Sequence, residues 1–329
     1  MVDPSHVSDV IPWPDLGIDG EPELLFQPAV DLATGRLLGF EALLRLRRCV
    51  PVPGYISPNE LIPCAEANGH MKAVNDWVLS EACSKAAAWR PEIQLAVNCS
   101  VFQLRRHEAS ASAAAALEVS GLDAGRLSIE FTESALADDR ALHDLGALAK
   151  LGVQLTLDDM VADWSSVTDL KRIAVSTVKI DGSFIGGLDH VGGSNRSIVE
   201  TIVKVIHSLD LCTGAKAVET AGQVAILCEI GADVGQGYFF APPLAAEEAL
   251  ALASMDTIPI LPLSTEHRET VTSDPGESGA EDVVVAELIE VDPSADEDFD
   301  DTLVGWARLI QPVARSTGPT PHAGVEKRR

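Results

Sequence analysis

The segment LLFQPAVDLATGRLLGFEALLRL (residues 24–46) sets the reading of the whole chain. It holds two strand-like apolar runs, Leu24–Val30 and Gly39–Leu46, joined by Asp31-Leu-Ala-Thr-Gly35-Arg. That link is far too short for a helical crossover, so the two strands are expected to run antiparallel. Further strand-like runs follow at Gln94–Cys99, Leu127–Thr132, Val153–Leu157, Thr177–Ile180, Leu211–Val218 and Gly237–Phe240. Between most of them lie Ala- and Leu-rich helical patterns at Asn75–Trp89, Val101–Leu117, Ala141–Leu151, Asn195–Leu209, Ala221–Ile230 and Ala245–Leu252. The alternation predicts a parallel-type α/β fold behind an antiparallel first strand pair, either an open doubly wound sheet or a (β/α)8 TIM-type barrel. Neither a GxGxxG nor a GxxxxGK[ST] loop occurs, which removes most support for the nucleotide-cofactor folds.

Outward from this body the composition changes near residue 255. The 329 residues carry a formal charge of −26, and 46% of them are hydrophobic, too apolar for a wholly disordered chain. Between Ser264 and Asp301 there are 14 acidic residues against one basic residue, Arg268, a local charge of −13 and half of the total. The predicted organisation is an N-terminal extension (1–20), an α/β domain (21–254), an acidic disordered linker (255–301) and a C-terminal tail (302–329). In the tail, Leu303, Val304, Trp306, Ala307, Leu309 and Ile310 form a short amphipathic segment before Pro312. The acidic stretch suits recruitment of a basic protein partner. A charge this negative argues against coating DNA or anionic lipid. No apolar stretch reaches the length of a membrane span, and the N-terminus has neither a basic start nor an apolar signal core, so a cytoplasmic location is expected. Six scattered cysteines without a CxxC pair, and histidines without HxH or HExxH spacing, speak against zinc or redox motifs.

Strands buried on both faces should be apolar throughout. Here nearly every one is interrupted, or followed at once, by a residue of ligand type: Glu41, Asn98, Glu130, Asp158 with Asp159, Lys179, Lys216 with Glu219, and Gln236. Any one of these has a plain alternative, such as a helix cap or a solvated loop charge. Together, at the strand ends of a barrel, they would converge on one mouth. Carboxylates about 4 Å apart at an effective dielectric near 20 repel by roughly 4 kcal/mol per pair, so such a cluster calls for counter-cations. Mg²⁺ and Mn²⁺ favour carboxylate and amide oxygen, and one or two such ions would cradle a phosphodiester and activate a water for in-line attack.

At these residues the chain resembles the EAL-domain family, whose active members are cytoplasmic cyclic di-GMP phosphodiesterases with a modified (β/α)8 barrel. The resemblance rests on ordered motifs across about residues 22–245: FQPAVDLATG at 26–35, GFEALLR at 39–45, ISPNELIP at 56–63 with Ala65-Glu66, VNCS at 97–100, EFTES at 130–134, Asp158-Asp159, VKID at 178–181, Val218-Glu219-Thr220 and GQGY at 235–238. It implies Glu41, Asn98, Glu130, Asp158 and Asp159 as ligands of Mg²⁺ or Mn²⁺, and Lys179 as the residue that helps place the attacking water. It also implies Gln27, Leu43, Arg45 and Gln236 as the lining of the dinucleotide pocket, and Glu133 as support for the loop after the aspartate pair. The reaction implied is opening of the cyclic diester to linear di-GMP, and in relatives the loop after the aspartates couples metal binding to contacts in a homodimer.

Two departures count against turnover. The family's A-E-G-V-E-T stretch reads Ala215-Lys216-Ala217-Val218-Glu219-Thr220, so Lys216 replaces an acidic residue that active members use beside the metals. The family's F-G-T-G-Y loop reads Met160-Val-Ala-Asp163-Trp164, without its glycines. Three expectations follow. The leading one is a catalytically impaired domain that acts as a cyclic di-GMP receptor or partner-binding regulator; the alternative is an active metal-dependent phosphodiesterase. The third is an interaction protein that binds no nucleotide and works through the acidic segment.

Overall fold

A computed structural model describes residues 21–48, 54–56, 58–160, 173–190 and 195–255. The opening pair is antiparallel, as its short link requires: β1 (Glu21–Asp31) lies against β2 (Leu37–Arg48). In the turn, Asp31 Oδ1 accepts the Thr34 backbone N–H at 2.7 Å and its hydroxyl at 2.8 Å, while Gly35 sits at φ 70°, where glycine has no Cβ to clash. The register sets Gln27 opposite Glu41, Leu25 opposite Leu43 and Glu23 opposite Arg45, so these residues share one face of the hairpin. The alternate residues Leu24, Phe26 and Val30 are buried in the core.

A short β3 (Gly54–Ile56) extends the edge of β2. Helices α1 (Pro58–Ala67) and α2 (Met71–Ala86) lead to β4 (Gln94–Asn98), and α3 (Val101–Arg105) and α4 (Ala109–Ser120) lead to β5 (Leu127–Thr132). Then come α5 (Asp139–Lys150), β6 (Gln154–Met160), β7 (Val175–Ile180), α6 (Gly182–Ile185), α7 (Asn195–His207), β8 (Cys212–Ala215), α8 (Ala221–Ile230), β9 (Val234–Gln236) and α9 (Ala246–Ala253). Strands β2, β4, β5, β6, β7, β8 and β9 pair in parallel in that order. Strand β9 then pairs antiparallel with β1, Ala29 opposite Gln236 and Val30 opposite Gly235. This closes eight strands into a ring and decides for the modified (β/α)8 barrel over the open sheet. Trp89 meets Phe26 edge-on at 5.4 Å and Phe40 at 4.9 Å, an aromatic contact worth about 0.5–1.5 kcal/mol beyond burial.

Several element boundaries differ from the sequence expectations, and four of these differences reshape the chain. The sequence pattern predicts a helix over Asn75–Trp89; α2 instead spans Met71–Ala86, and Trp89 lies beyond it. The helix expected over Val101–Leu117 is two helices, because His107 adopts φ 57° and turns the chain. The strand expected over Leu211–Val218 ends at Ala215, and Ala217, at φ 53°, cannot continue it. The last strand is Val234–Gln236 and not Gly237–Phe240, which folds into a turn with the Phe240 N–H donating to the Gly237 carbonyl at 3.0 Å. The extension 1–20, residues 161–172, which hold the rest of the Met160–Trp164 stretch, and residues 256–329, with the predicted acidic linker and amphipathic tail, lie outside the described residues.

Candidate functional site

The barrel gathers side chains from strands that are distant in sequence. Asn98 ends β4, opposite Glu130 of β5; Asp158 of β6 stands opposite Thr132; Lys179 of β7 stands opposite Gly214. The missing side chain at Gly214 leaves Lys179 its room, since a Cβ there would lie 3.0 Å from Lys179 Cγ. Glu41 is the hub of one group. Its Oε1 accepts the Asn98 amide at 2.6 Å, and its Oε2 accepts Lys179 Nζ at 3.0 Å and Gln236 Nε2 at 2.8 Å. Lys179 Nζ also reaches Glu130 Oε1 at 2.5 Å.

Electrostatics separate the two glutamates. Burial works to raise Glu41, but the Lys179 charge and the hydrogen bonds from Gln236, Asn98 and Lys179 outweigh it and hold its carboxyl at about 2. Glu130 is 1% exposed; burial, Glu41 and Asp158 push it up to about 8 against the pull of Lys179. Burial opposes the charge on Lys179 as well, yet Glu130, Glu41 and Asp158 together keep it firmly protonated.

A second group is built around Lys216, just past the end of β8. Its Nζ donates to Asp158 Oδ1 and Oδ2 at 2.9 and 2.8 Å and to Asp159 Oδ1 at 2.7 Å. Those two aspartates outweigh the effect of burial and raise its pKa. Asp159 itself sits at φ 52°, a left-handed conformation that a short polar side chain tolerates.

The remaining predicted residues fall around these groups. Gln27 Oε1 accepts Gln236 Nε2 at 3.2 Å, and Gln27 Nε2 approaches the Ala241 carbonyl at 3.5 Å. Leu43 and Arg45 are half-buried beside Glu41 on the same strand face, with Arg45 Nη1 donating to the Leu44 carbonyl at 2.9 Å. Glu133 is half-buried in a 3-10 turn directly after β5. Glu219 is exposed, and its backbone N–H donates to Gln223 Oε1 at 2.7 Å at the head of α8.

Sequence reasoning gave no role to Gly237. A Cβ there would lie 2.2 Å from the N and O of Val218, whose N–H donates to the Gln236 carbonyl at 3.1 Å. This close backbone contact anchors Gln236, and the signal was the glycine directly after it.

The donor set of four carboxylates and an amide is the kind that Mg²⁺ and Mn²⁺ take. Glu130 Oε2 fits that use, being buried with no hydrogen-bond partner. Among the described residues, no three acidic, His or Cys side chains converge in a way that could hold an ion as they stand. Two ammonium groups are hydrogen-bonded among the carboxylates. Again among the described residues, no helix is long and apolar enough to cross a membrane.

With this geometry in view, comparison with known proteins gives a consistent answer. The EAL domain model matches residues 16–243. The cyclic di-GMP phosphodiesterase NbdA of Pseudomonas aeruginosa is 36% identical over 252 residues, covering 74% of this chain and 32% of that protein. A solved chain described as the PaMucR phosphodiesterase in complex with c-di-GMP superposes with a TM-score of 0.65 at 34% identity, covering 70% of this chain and 94% of that one. The FimX EAL domain from Pseudomonas aeruginosa, bound to c-di-GMP, gives a TM-score of 0.62 at 26% identity over 68% of this chain and 91% of that one. Five curated relatives are matched over only 28% to 34% of their own length. The extent of the family match and the closed barrel agree: this chain belongs to the EAL domain family.

Proposed function

We propose that the chain is a cyclic di-GMP receptor whose hydrolytic step is impaired. One observation carries this reading: the Lys216 ammonium is bonded to both Asp158 and Asp159. Replacing an acidic side chain with an ammonium beside dications reverses the sign of an interaction worth several kcal/mol. Gln27, Leu43, Arg45 and Gln236 remain as the dinucleotide pocket, and relatives solved with c-di-GMP support that assignment. Glu41, Asn98, Glu130, Asp158 and Asp159 would hold Mg²⁺ or Mn²⁺, which supplies Lewis-acid activation of a phosphodiester and of water when bound. Lys179 is the residue to place that water, and Glu133 the support of the loop beyond Asp159. Calorimetric titration with cyclic di-GMP should give binding, while chromatography after incubation with Mg²⁺ or Mn²⁺ should give little linear di-GMP. Lys216→Glu should raise product formation at least tenfold; brisk turnover by the unaltered chain overturns the proposal.

The assembled set of Glu41, Asn98, Glu130 and Lys179 favours a second reading, an active phosphodiesterase. That reading requires metal-dependent linear product that disappears in Asp158→Ala. We assign the protein to the cytoplasm, with a basic protein partner for the acidic stretch and a homodimer as further parts of the proposal. Deleting residues 256–329 and measuring oligomeric state by light scattering tests the last two.

A further inference from the structure

The charges at the barrel mouth do not balance as they stand. Glu41, Glu130, Asp158 and Asp159 face two ammonium groups, Lys179 and Lys216, so the acidic side chains outnumber the ammonium groups two to one. The two ammonium groups are also spent unequally. Lys216 directs its donors at three carboxylate oxygens of Asp158 and Asp159. An ammonium has three N–H donors, so those of Lys216 are all engaged in that half of the site. In the other half, Lys179 engages one oxygen each of Glu41 and Glu130, and Glu130 Oε2 is left without a partner on a side chain that is 1% exposed. A buried carboxylate oxygen without a donor is unfavourable unless something positive approaches it. That oxygen shares its half with the Glu41 carboxylate and the Asn98 amide, both hard-cation donors.

We infer that Lys216 is a tethered cation that permanently fills one cation place, so that this domain binds a single divalent ion, in the Glu41–Asn98–Glu130 half. The inference deepens the receptor proposal and rests on its assignment of these residues as metal-type. Being covalently attached, the Lys216 ammonium is not diluted away, and a second dication entering beside Asp158 would have to expel it against two carboxylates. Lys179 is in a different position: it can give up one of its two carboxylates to an incoming ion and keep the other.

The test is a count of ions made without nucleotide and without turnover. The full chain, stripped with chelator, is titrated with Mn²⁺, free Mn²⁺ being read by electron paramagnetic resonance and bound Mn²⁺ by calorimetry. The expected result is one ion per chain, two in Lys216→Glu, and at least tenfold weaker binding of the first ion in Glu130→Gln. Lys216→Ala, a milder change, is expected to gain a second and weaker ion, and circular dichroism identifies any variant that has lost its fold. Two ions or none in the unaltered chain overturns the inference whatever the variants do, as does a single ion in both folded Lys216 variants. Because the count needs no nucleotide, a failure to bind cyclic di-GMP would defeat the receptor reading and leave this one standing.

Discussion

Beside Lys216, Ala217 holds a backbone conformation, φ 53°, that costs an L-residue about 1 kcal/mol or more and costs glycine almost nothing. Its methyl also crowds a neighbour: a Cβ built on Gly182 would lie 2.8 Å from Ala217 Cβ. Ala217→Gly should therefore raise the unfolding free energy by about 1 kcal/mol in urea. Gly182→Ala should lower it by about 1–3 kcal/mol through overpacking. In the double variant most of the Gly182→Ala penalty should vanish, a coupling of about 1 kcal/mol or more; strict additivity would refute the contact. The polar residues of the site were legible as a set because they interrupt strands that a barrel buries on both faces. Their pairing was not legible. Lys179 joins Glu41 across 138 positions, and Lys216 joins Asp158 across 58. Which ammonium meets which carboxylate depends on strand register and side-chain rotamers that no local pattern encodes.

At the scale of elements, the split of the helix expected over Val101–Leu117 shows a distant group overriding local propensity. The break at His107 is sustained from outside its own segment. Glu108, at the N-cap of α4, makes no capping bond, and Asp144 of α5 supplies it. The Asp144 carboxylate accepts the backbone N–H groups of Ala109 and Ser110 at 3.1 and 3.3 Å and the Ser110 hydroxyl at 2.5 Å. Asp144→Ala leaves buried donors unsatisfied and should cost about 1–3 kcal/mol, with faster hydrogen exchange at the first amides of α4. An equivalent device joins β8, β9 and α7. Asp233 Oδ2 accepts the Thr213 N–H at 2.7 Å and the Thr213 hydroxyl and His207 Nε2 at 2.8 Å each. Burial alone would raise the Asp233 pKa, but these bonds prevail and lower it. A carboxyl whose pKa is lower folded than unfolded stabilises above its unfolded value, near 4, and loses that contribution as pH falls through the folded value. With 40% of the side chain exposed, solvent screening limits the effect to about 1 kcal/mol. Asp233→Asn should thus be less stable than the parent at pH 6, and the difference should narrow in acid-dependent urea melts as pH falls from the unfolded value through the lowered folded one. A gap that stays constant across that range would show that the charge contributes nothing.

For the molecule as a whole, the antiparallel opening and the later alternation of strands and helices were legible because chain length forces them: six residues cannot make a crossover, and helices must intervene between parallel strands. Closure was not legible, because it depends on how β9 meets β1, and the sequence pattern placed that last strand three residues late. The ring is sealed by more than the strands. After β9 the chain returns to β1, where the Phe26 N–H donates to the Leu244 carbonyl at 2.7 Å and the Leu244 N–H to the Phe26 carbonyl at 2.9 Å. Helix α9 then buries Ala249 and Ala253 completely, and the Ala253 carbonyl accepts Arg90 Nε at 2.9 Å. The element that seals the barrel is thus among the last of the described residues. Truncation after Met255 should leave a cooperative thermal transition within a few degrees of that of the full chain. Truncation after Ala241 removes the Leu244 pairing and α9, exposes the core edge of β1, and should abolish cooperative unfolding. If the shorter chain melts as sharply as the longer one, the β1–β9 contact alone closes the barrel, and the C-terminal return is an ornament on a ring already complete.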